Sequence, residues 1–274
     1  MKFSKMHGLG NDFVIIDGIN QKVNLSSKII SKLSNRNFGI GFDQLLLVES
    51  SRNNSCDFNY RVFNSNGNEV EQCGNGARCF ARFVYLKGLT LKKNICVKTK
   101  NRIINLTLLN DNDVSVNMGE PIFDPKKIPF LCNKKKKRYK IHVNNNIITC
   151  GVLSMGNPHC ILQEKNVSKS KIKILGPLLE NNALFPEKIN VSFMEVINNK
   201  HIKIRVYERD IGETQACGSG ACACVAYGYL NGFLSQKVKV DLLGGSLDIF
   251  WEGLGKPLFM IGSATHVYDG DINI

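Results

Sequence analysis

The chain contains part of itself twice. Residues 61–89 laid without a gap on residues 205–233 share Arg61/Arg205, Val62/Val206, Glu69/Glu213, Cys73/Cys217, Gly74/Gly218, Gly76/Gly220, Ala77/Ala221, Tyr85/Tyr229, Leu86/Leu230 and Gly88/Gly232. Those ten identities in 29 positions compare with roughly two from average composition. A weaker echo pairs Gly10-Asn11 with Gly156-Asn157. A chain of 274 residues suits two domains of about 130 residues each. The halves are read as 1–117 and 118–262, with Met118-Gly119-Glu120-Pro121, Pro125 and Pro129 forming the crossover.

Each half carries one clear helix directly after its repeated cysteine. Ala77, Phe80, Ala81, Val84 and Tyr85 recur at helical spacing and Gly88 supplies a stop; Ala221, Val225, Tyr229 and Gly232 repeat the pattern. Around them Val14–Ile16, Phe58–Phe63, Ile103–Leu106, Ile147-Ile148, Ile202–Val206 and Val238–Val240 read as short strands between turn clusters. The expectation is an α+β fold of two pseudo-symmetric domains, each a mostly antiparallel sheet wrapped around a central helix.

No apolar run approaches the roughly 18 residues of a membrane span. The first residues, Met1 to Gly8, show no apolar stretch of a secretory signal, so a cytoplasmic location is expected. In that setting the ten cysteines are read as reduced thiols. Cys79, Cys222 and Cys224 are read as helix-packing residues, and Cys56, Cys96, Cys132 and Cys150 carry no motif. The net charge of +13 raises the possibility of a nucleic-acid partner. Its basic residues are scattered, however, and the one dense run, Lys134 to Arg138, reads as a solvated loop. No nucleic-acid or membrane partner is expected.

The chemistry lies in the repeated loops, Gln72-Cys73-Gly74-Asn75-Gly76-Ala77 and Ala216-Cys217-Gly218-Ser219-Gly220-Ala221. Each places a thiol, then Gly-X-Gly, at the start of a helix. Backbone N–H groups and about half a positive charge at the helix end suit a carboxylate. The same end lowers a thiol pKa, whereas an apolar pocket raises it, and the sequence leaves that balance open. Two such loops facing each other across a cleft would set two thiols around one α-carbon. One thiolate removes the α-proton from one face and the opposite thiol protonates the other, inverting the centre without a cofactor. A metal site at Cys217, Cys222 and Cys224 is disfavoured, because the spacing fits no zinc pattern and Cys222 and Cys224 point apart on a helix.

Several ordered segments resemble the diaminopimelate epimerase family. They are Met6 to Phe13, Gly41-Phe42-Asp43-Gln44, the Cys73 loop, Ser154 to His159, Tyr207-Glu208-Arg209, Gly212 to Gly220, and Ala264 to Gly270. The resemblance implies interconversion of LL- and meso-2,6-diaminoheptanedioate, on the route to lysine and peptidoglycan precursors, by a cofactor-free homodimer with no metal. It implies Cys217 as base and Cys73 as acid from LL to meso, with roles exchanged in reverse. His159 and Glu208 would adjust the thiol pKa values. Substrate contacts would fall on Asn11, Gln44, Asn64, Gly74, Asn75, Asn157, Asn190, Glu208, Arg209, Gly218 and Ser219, and Tyr268 would lie at the dimer contact. The implied fold is a barrel-like sheet around each central helix, with the tail 263–274 returning to the first domain. Asn101-Arg102 departs from the Gly-Arg turn that members often carry, outside the motifs. Rival readings are a two-cysteine racemase of proline racemase type, a phenazine-pathway-type isomerase, and a basic nucleic-acid-binding protein.

Overall fold

The computed structural model describes residues 1–51, 55–70, 74–110, 112–144 and 146–273. The chain forms two compact units, Met1–Asn117 with Ile261–Ile274, and Met118–Met260.

The first unit contains β1 (Lys2–Gly8), β2 (Asn11–Asp17), α1 (Ser27–Ser34), β3 (Gln44–Ser50), β4 (Phe58–Asn64), β5 (Glu69–Val70), α2 (Gly74–Leu86), β6 (Asn94–Lys98), β7 (Ile103–Leu108) and β8 (Asp113–Gly119). Neighbouring strands pair as β1–β2 antiparallel, β2–β3 parallel, β3–β4 and β4–β5 antiparallel, β4–β6 parallel, then β6–β7 and β7–β8 antiparallel. The C-terminal strand Thr265–Asp271 adds antiparallel to β1. Helix α2 packs against β1, β2 and β3 and also against β7, so the sheet curls around it.

The second unit repeats this plan with β9 (Tyr139–Val143), β10 (Asn146–Ser154), β11 (Pro158–Glu164), α3 (Ile172–Glu180), β12 (Asn190–Asn198), β13 (His201–Glu208), β14 (Gly212–Thr214), α4 (Gly218–Leu230), β15 (Lys237–Leu242) and β16 (Gly245–Trp251). From β10 to β16 the pairings run antiparallel, parallel, antiparallel, antiparallel, parallel, antiparallel, the order found from β1 to β7. β9 adds to β10 as the C-terminal strand adds to β1. The duplication in the sequence is thus a duplication of topology, in a two-unit α+β fold that is mostly antiparallel.

The shared residues account for themselves locally. Arg61 grips Glu69 through Nε and Nη2 at 3.1 and 2.8 Å, and Arg205 Nε donates to Glu213 at 2.6 Å. In each unit this ion pair ties the last long strand before the cysteine loop to the short strand that leads into it. Gly88 and Gly232 take positive φ, +66° and +81°. Leu89 N–H then donates to Val84 C=O, and Phe233 N–H to Gly228 C=O, closing the same 6→1 helix stop on α2 and α4.

One feature departs from the sequence reading, which gave each half a single helix. Each unit has a second, α1 or α3, in the crossover between its first parallel strand pair. Parallel neighbours cannot be joined by a tight turn, so a crossover segment is required there. Ile30 and Leu33 of α1 pack on Val14, Ile16, Leu45 and Leu47, and Ile172 and Leu179 of α3 pack with Cys160, Leu162, Val191 and Phe193. The parallel strands are therefore covered on both faces. That explains why Phe13–Ile16 and Leu45–Val48 are continuous apolar runs. The Lys134–Arg138 run is exposed loop, with Arg138 Nε donating to Asn231 Oδ1 at 3.1 Å.

Candidate functional site

Strand alternation decides which side chains meet α4. Cys160 and Val191 point into the cluster under α3, so their neighbours His159 and Asn190 point to the opposite face, which α4 covers. His159 and Asn190 are also register partners across the parallel β11–β12 pair. Helix α4 is buried on nearly all sides from Gly218 to Gly228, and Cys217 is its N-cap, with φ −119° and ψ 102°. A Cβ on Gly220 would lie 3.3 Å from the Cys217 sulfur and 3.2 Å from both Ser192 Oγ and Val206 Cγ2. This glycine is there for close approach, since its φ is not positive.

From Cys217 a polar chain runs inward. Its Sγ lies 3.6 Å from Ser219 Oγ; Asn157 Nδ2 donates to Ser219 Oγ at 3.2 Å; Asn157 Oδ1 lies 3.0 Å from His159 Nε2. Because that Asn157 oxygen can only accept, Nε2 carries the imidazole proton and Nδ1 is an acceptor. Burial, with Arg209 nearby, lowers the His159 pKa to about 3, so the ring is neutral. Asn190 Nδ2 donates to Pro158 C=O at 2.9 Å and its Oδ1 accepts from Arg209 N–H at 3.1 Å, fixing the turn after β13. Arg209 Nη1 donates to Glu187 C=O at 2.9 Å. Glu208 accepts from Thr214 Oγ1 at 2.6 Å.

The balance that the sequence leaves open is settled for Cys217. Burial pushes its thiol well above the ordinary range and the Glu208 carboxylate adds to the rise; the Ser219 hydroxyl and Gly220 N–H offset only part of it. Glu208→Gln is therefore expected to lower the Cys217 pKa. Alkylation of Cys217 by iodoacetamide, read by peptide mapping against pH, should shift to lower pH and run severalfold faster at pH 8. An unchanged profile would show that Glu208 does not act on the thiol.

In the first unit the matching positions also converge. Leu9 and Gly10 both have positive φ, +56° and +83°, in the two-residue turn between β1 and β2. Gly156, at +95°, lies in the equivalent β10–β11 turn, so the weak echo Gly10-Asn11 and Gly156-Asn157 marks equivalent turns. Asn11 donates to Asp43 Oδ2 at 2.9 Å and accepts from Asn75 Nδ2 at 3.3 Å. Buried Asn75, in the first turn of α2, accepts from Arg78 Nη1 at 3.0 Å. Gly74 opens that helix. Gln44 and Asn64 are register partners, with Gln44 Nε2 donating to Asn64 Oδ1 at 2.8 Å. Cys73 lies outside the described residues. Tyr268 is on the C-terminal strand, 44% exposed, with its ring edge-on to Phe3.

Two buried acceptors in this group, Gln44 Oε1 and His159 Nδ1, have no hydrogen-bond partner among the described residues. The sequence reading missed several supports. Asp43 orients Asn11, and Asp12 receives both Lys5 and Arg36. Burial would raise the Asp12 pKa, but Arg36 and Lys5 outweigh it and hold the group ionised. Asp12, Asp43 and Thr214 stand inside the quoted motifs, which was their only signal; Glu187 gave none. Among the described residues no group of three or more His, Cys, Asp or Glu side chains could hold a metal ion, and no helix is long and apolar enough to cross a membrane.

Solved structures share this fold. A phenazine biosynthesis protein of the PhzF family from Bacillus anthracis aligns over 100% of this chain and 99% of its own, at 15% identity and a TM-score of 0.70. A hydroxyproline epimerase from Agrobacterium vitis, with trans-4-hydroxy-L-proline bound, aligns over 98% of this chain and 91% of its own, at 10% identity and a TM-score of 0.72. At such identities the likeness is one of fold. The family model of diaminopimelate epimerase matches residues 3–123 and 151–267, covering both copies of the cysteine loop. A doubled topology, a cysteine at the head of a buried helix and a match through both halves lead to one assignment: the chain belongs to the diaminopimelate epimerase family.

Proposed function

We propose that this isomerase interconverts LL- and meso-2,6-diaminoheptanedioate by proton transfer between Cys73 and Cys217, acting on opposite faces of one α-carbon. The observation that carries the reading is that α2 and α4 occupy equivalent places in their units and begin at Gly74 and Gly218, each one residue after a repeated cysteine. The two helix N-termini bind the α-carboxylate of the reacting centre and stabilise the charge that develops as its proton leaves. The distal zwitterion is met by Arg209, whose planar fork suits a carboxylate, and by Glu208, which accepts from an ammonium. Asn11, Gln44, Asn64, Asn75, Asn157, Asn190 and Ser219 complete the contacts, with Gln44 Oε1, which has no partner among the described residues, available to an ammonium.

Because Cys217 keeps its proton at rest, it starts as the acid for meso to LL. For LL to meso it must first lose that proton, and an ammonium that neutralises Glu208 removes one of the two causes that raise its pKa. His159 stays neutral and acts through Asn157 and Ser219 as a positioning residue. The protein works as a cytoplasmic homodimer, with Tyr268 in the contact, in the supply of lysine and peptidoglycan precursors.

The test is a substrate panel followed by circular dichroism and proton NMR, with purified protein and no added cofactor. LL-2,6-diaminoheptanedioate should convert towards the meso form while L-proline and trans-4-hydroxy-L-proline stay unchanged. Inversion of either proline with diaminoheptanedioate untouched would overturn the assignment of substrate.

A further inference from the structure

Cys56 and Cys96 take no part in the chemistry above, yet their sulfurs lie 3.3 Å apart. The contact is built by the backbone. Asp57 N–H donates to Cys96 C=O at 2.8 Å, and Cys96 N–H donates back to Asp57 Oδ2 at 2.8 Å. The next residues, Phe58 and Val97, are register partners of the parallel β4–β6 pair. The Cys96 thiol points at the Cys56 sulfur and at Ser55 C=O, 3.5 Å away. Lys92 Nζ braces the site by its ion pair with Asp57 at 2.6 Å. A disulfide needs a sulfur separation of about 2.05 Å, so the two sulfurs have only a short approach left to make.

Access separates this pair from the other described cysteines. Cys79, Cys150, Cys160, Cys222 and Cys224 are fully buried, whereas Cys96 is partly exposed and Cys56 lies directly behind it. Cys132 is also partly exposed, but its sulfur faces Lys134 C=O.

We propose that Cys56 and Cys96 form a reversible dithiol–disulfide site, oxidised by exchange with small disulfides of the glutathione type. The S–S bond of the small disulfide breaks and one S–S bond forms between Cys56 and Cys96. The two cysteine sulfurs are oxidised, the small disulfide is reduced, and the two thiol protons leave on the two small thiols it releases. Burial, with the Cys56 sulfur alongside, raises the Cys96 pKa to about 11, so the exchange is slow at neutral pH and faster in mild alkali. The bond would tie the segment before β4 to β6, away from both cysteine loops in sequence.

The experiment equilibrates the full-length protein with oxidised and reduced glutathione at pH 8, followed by acid quenching, intact mass and peptide mapping. Most molecules should lose two hydrogens as a Cys56–Cys96 link that dithiothreitol reverses, and the melting temperature should rise. Cys56→Ser and Cys96→Ser should each lose the link and carry one glutathione on the remaining cysteine. Wild-type protein that carries only mixed glutathione adducts at these positions, or that leaves both unmodified at equilibrium, would overturn the proposal.

Discussion

Replacing Cys217 by alanine is expected to lower kcat for inversion of LL-2,6-diaminoheptanedioate by about 10³–10⁴-fold. The size of the loss follows from the absence of a substitute. Among the described residues the side chains that act on the sulfur are the Ser219 hydroxyl, too weak an acid to transfer the proton, and the Glu208 carboxylate, which accepts from Thr214 and is the proposed partner of the distal ammonium. Neutral His159 is linked to the thiol through Asn157 and Ser219. Cys217→Ser should fall nearly as far, because a hydroxyl pKa lies far above that of even a buried thiol. Both variants should keep the fold, since each changes one small side chain at the head of α4 and leaves the buried residues Ala221 to Gly228 in place. Circular dichroism at 222 nm checks this alongside the rate. A folded Cys217→Ala protein with activity within threefold of wild type would remove Cys217 from the mechanism.

The largest effect on stability is expected at Trp251. Its side chain is fully buried, its Nε1 donates to Lys256 C=O at 2.9 Å, and its ring lies edge-on to Tyr229 at 5.5 Å and stacked on Phe123 at 6.2 Å. Trp251→Ala should cost about 3–5 kcal/mol, from the lost transfer energy of the indole and the cavity it leaves. Orphaning the Lys256 carbonyl adds to the loss. Trp251→Phe retains much of the buried area and should cost roughly half as much. Because this is the chain's one tryptophan, urea unfolding should be followed by far-ultraviolet circular dichroism. A loss below about 1 kcal/mol would show that the second unit repacks around the gap.

Much of this architecture is written in residue types whose local physics is unambiguous. Gly88 and Gly232 mark helix ends because their left-handed conformations admit few other residues. Val14–Ile16 and Ile202–Val206 read as strands because β-branched side chains repeat there. Crossover helices α1 and α3 were not legible for opposite reasons. Helix α1 spans eight residues, three of them serine, and lacks the length for a clear period. Helix α3 contains Gly176 and Pro177, which read as breakers. The structure explains the glycine, since a Cβ there would strike the Tyr207 ring at 2.6 Å. The pairing of Arg61 with Glu69, eight residues on, depends on a strand pairing that no helical or alternating pattern reveals. Asn157, His159 and Ser219 stand in the quoted motifs and are linked in the structure, but the direction of the Cys217 shift was not legible, because it depends on how completely the helix end is buried.

In the proposed mechanism two thiols take and give the proton from opposite sides. The most direct measurement converts LL-2,6-diaminoheptanedioate in D2O to a few per cent and reads deuterium at the α-carbons by mass spectrometry. The meso product should carry one deuterium at the inverted centre while the recovered LL substrate carries none. Deuterium appearing equally in recovered substrate and product from the earliest times would mean that a single group serves both faces, contradicting the paired-cysteine mechanism.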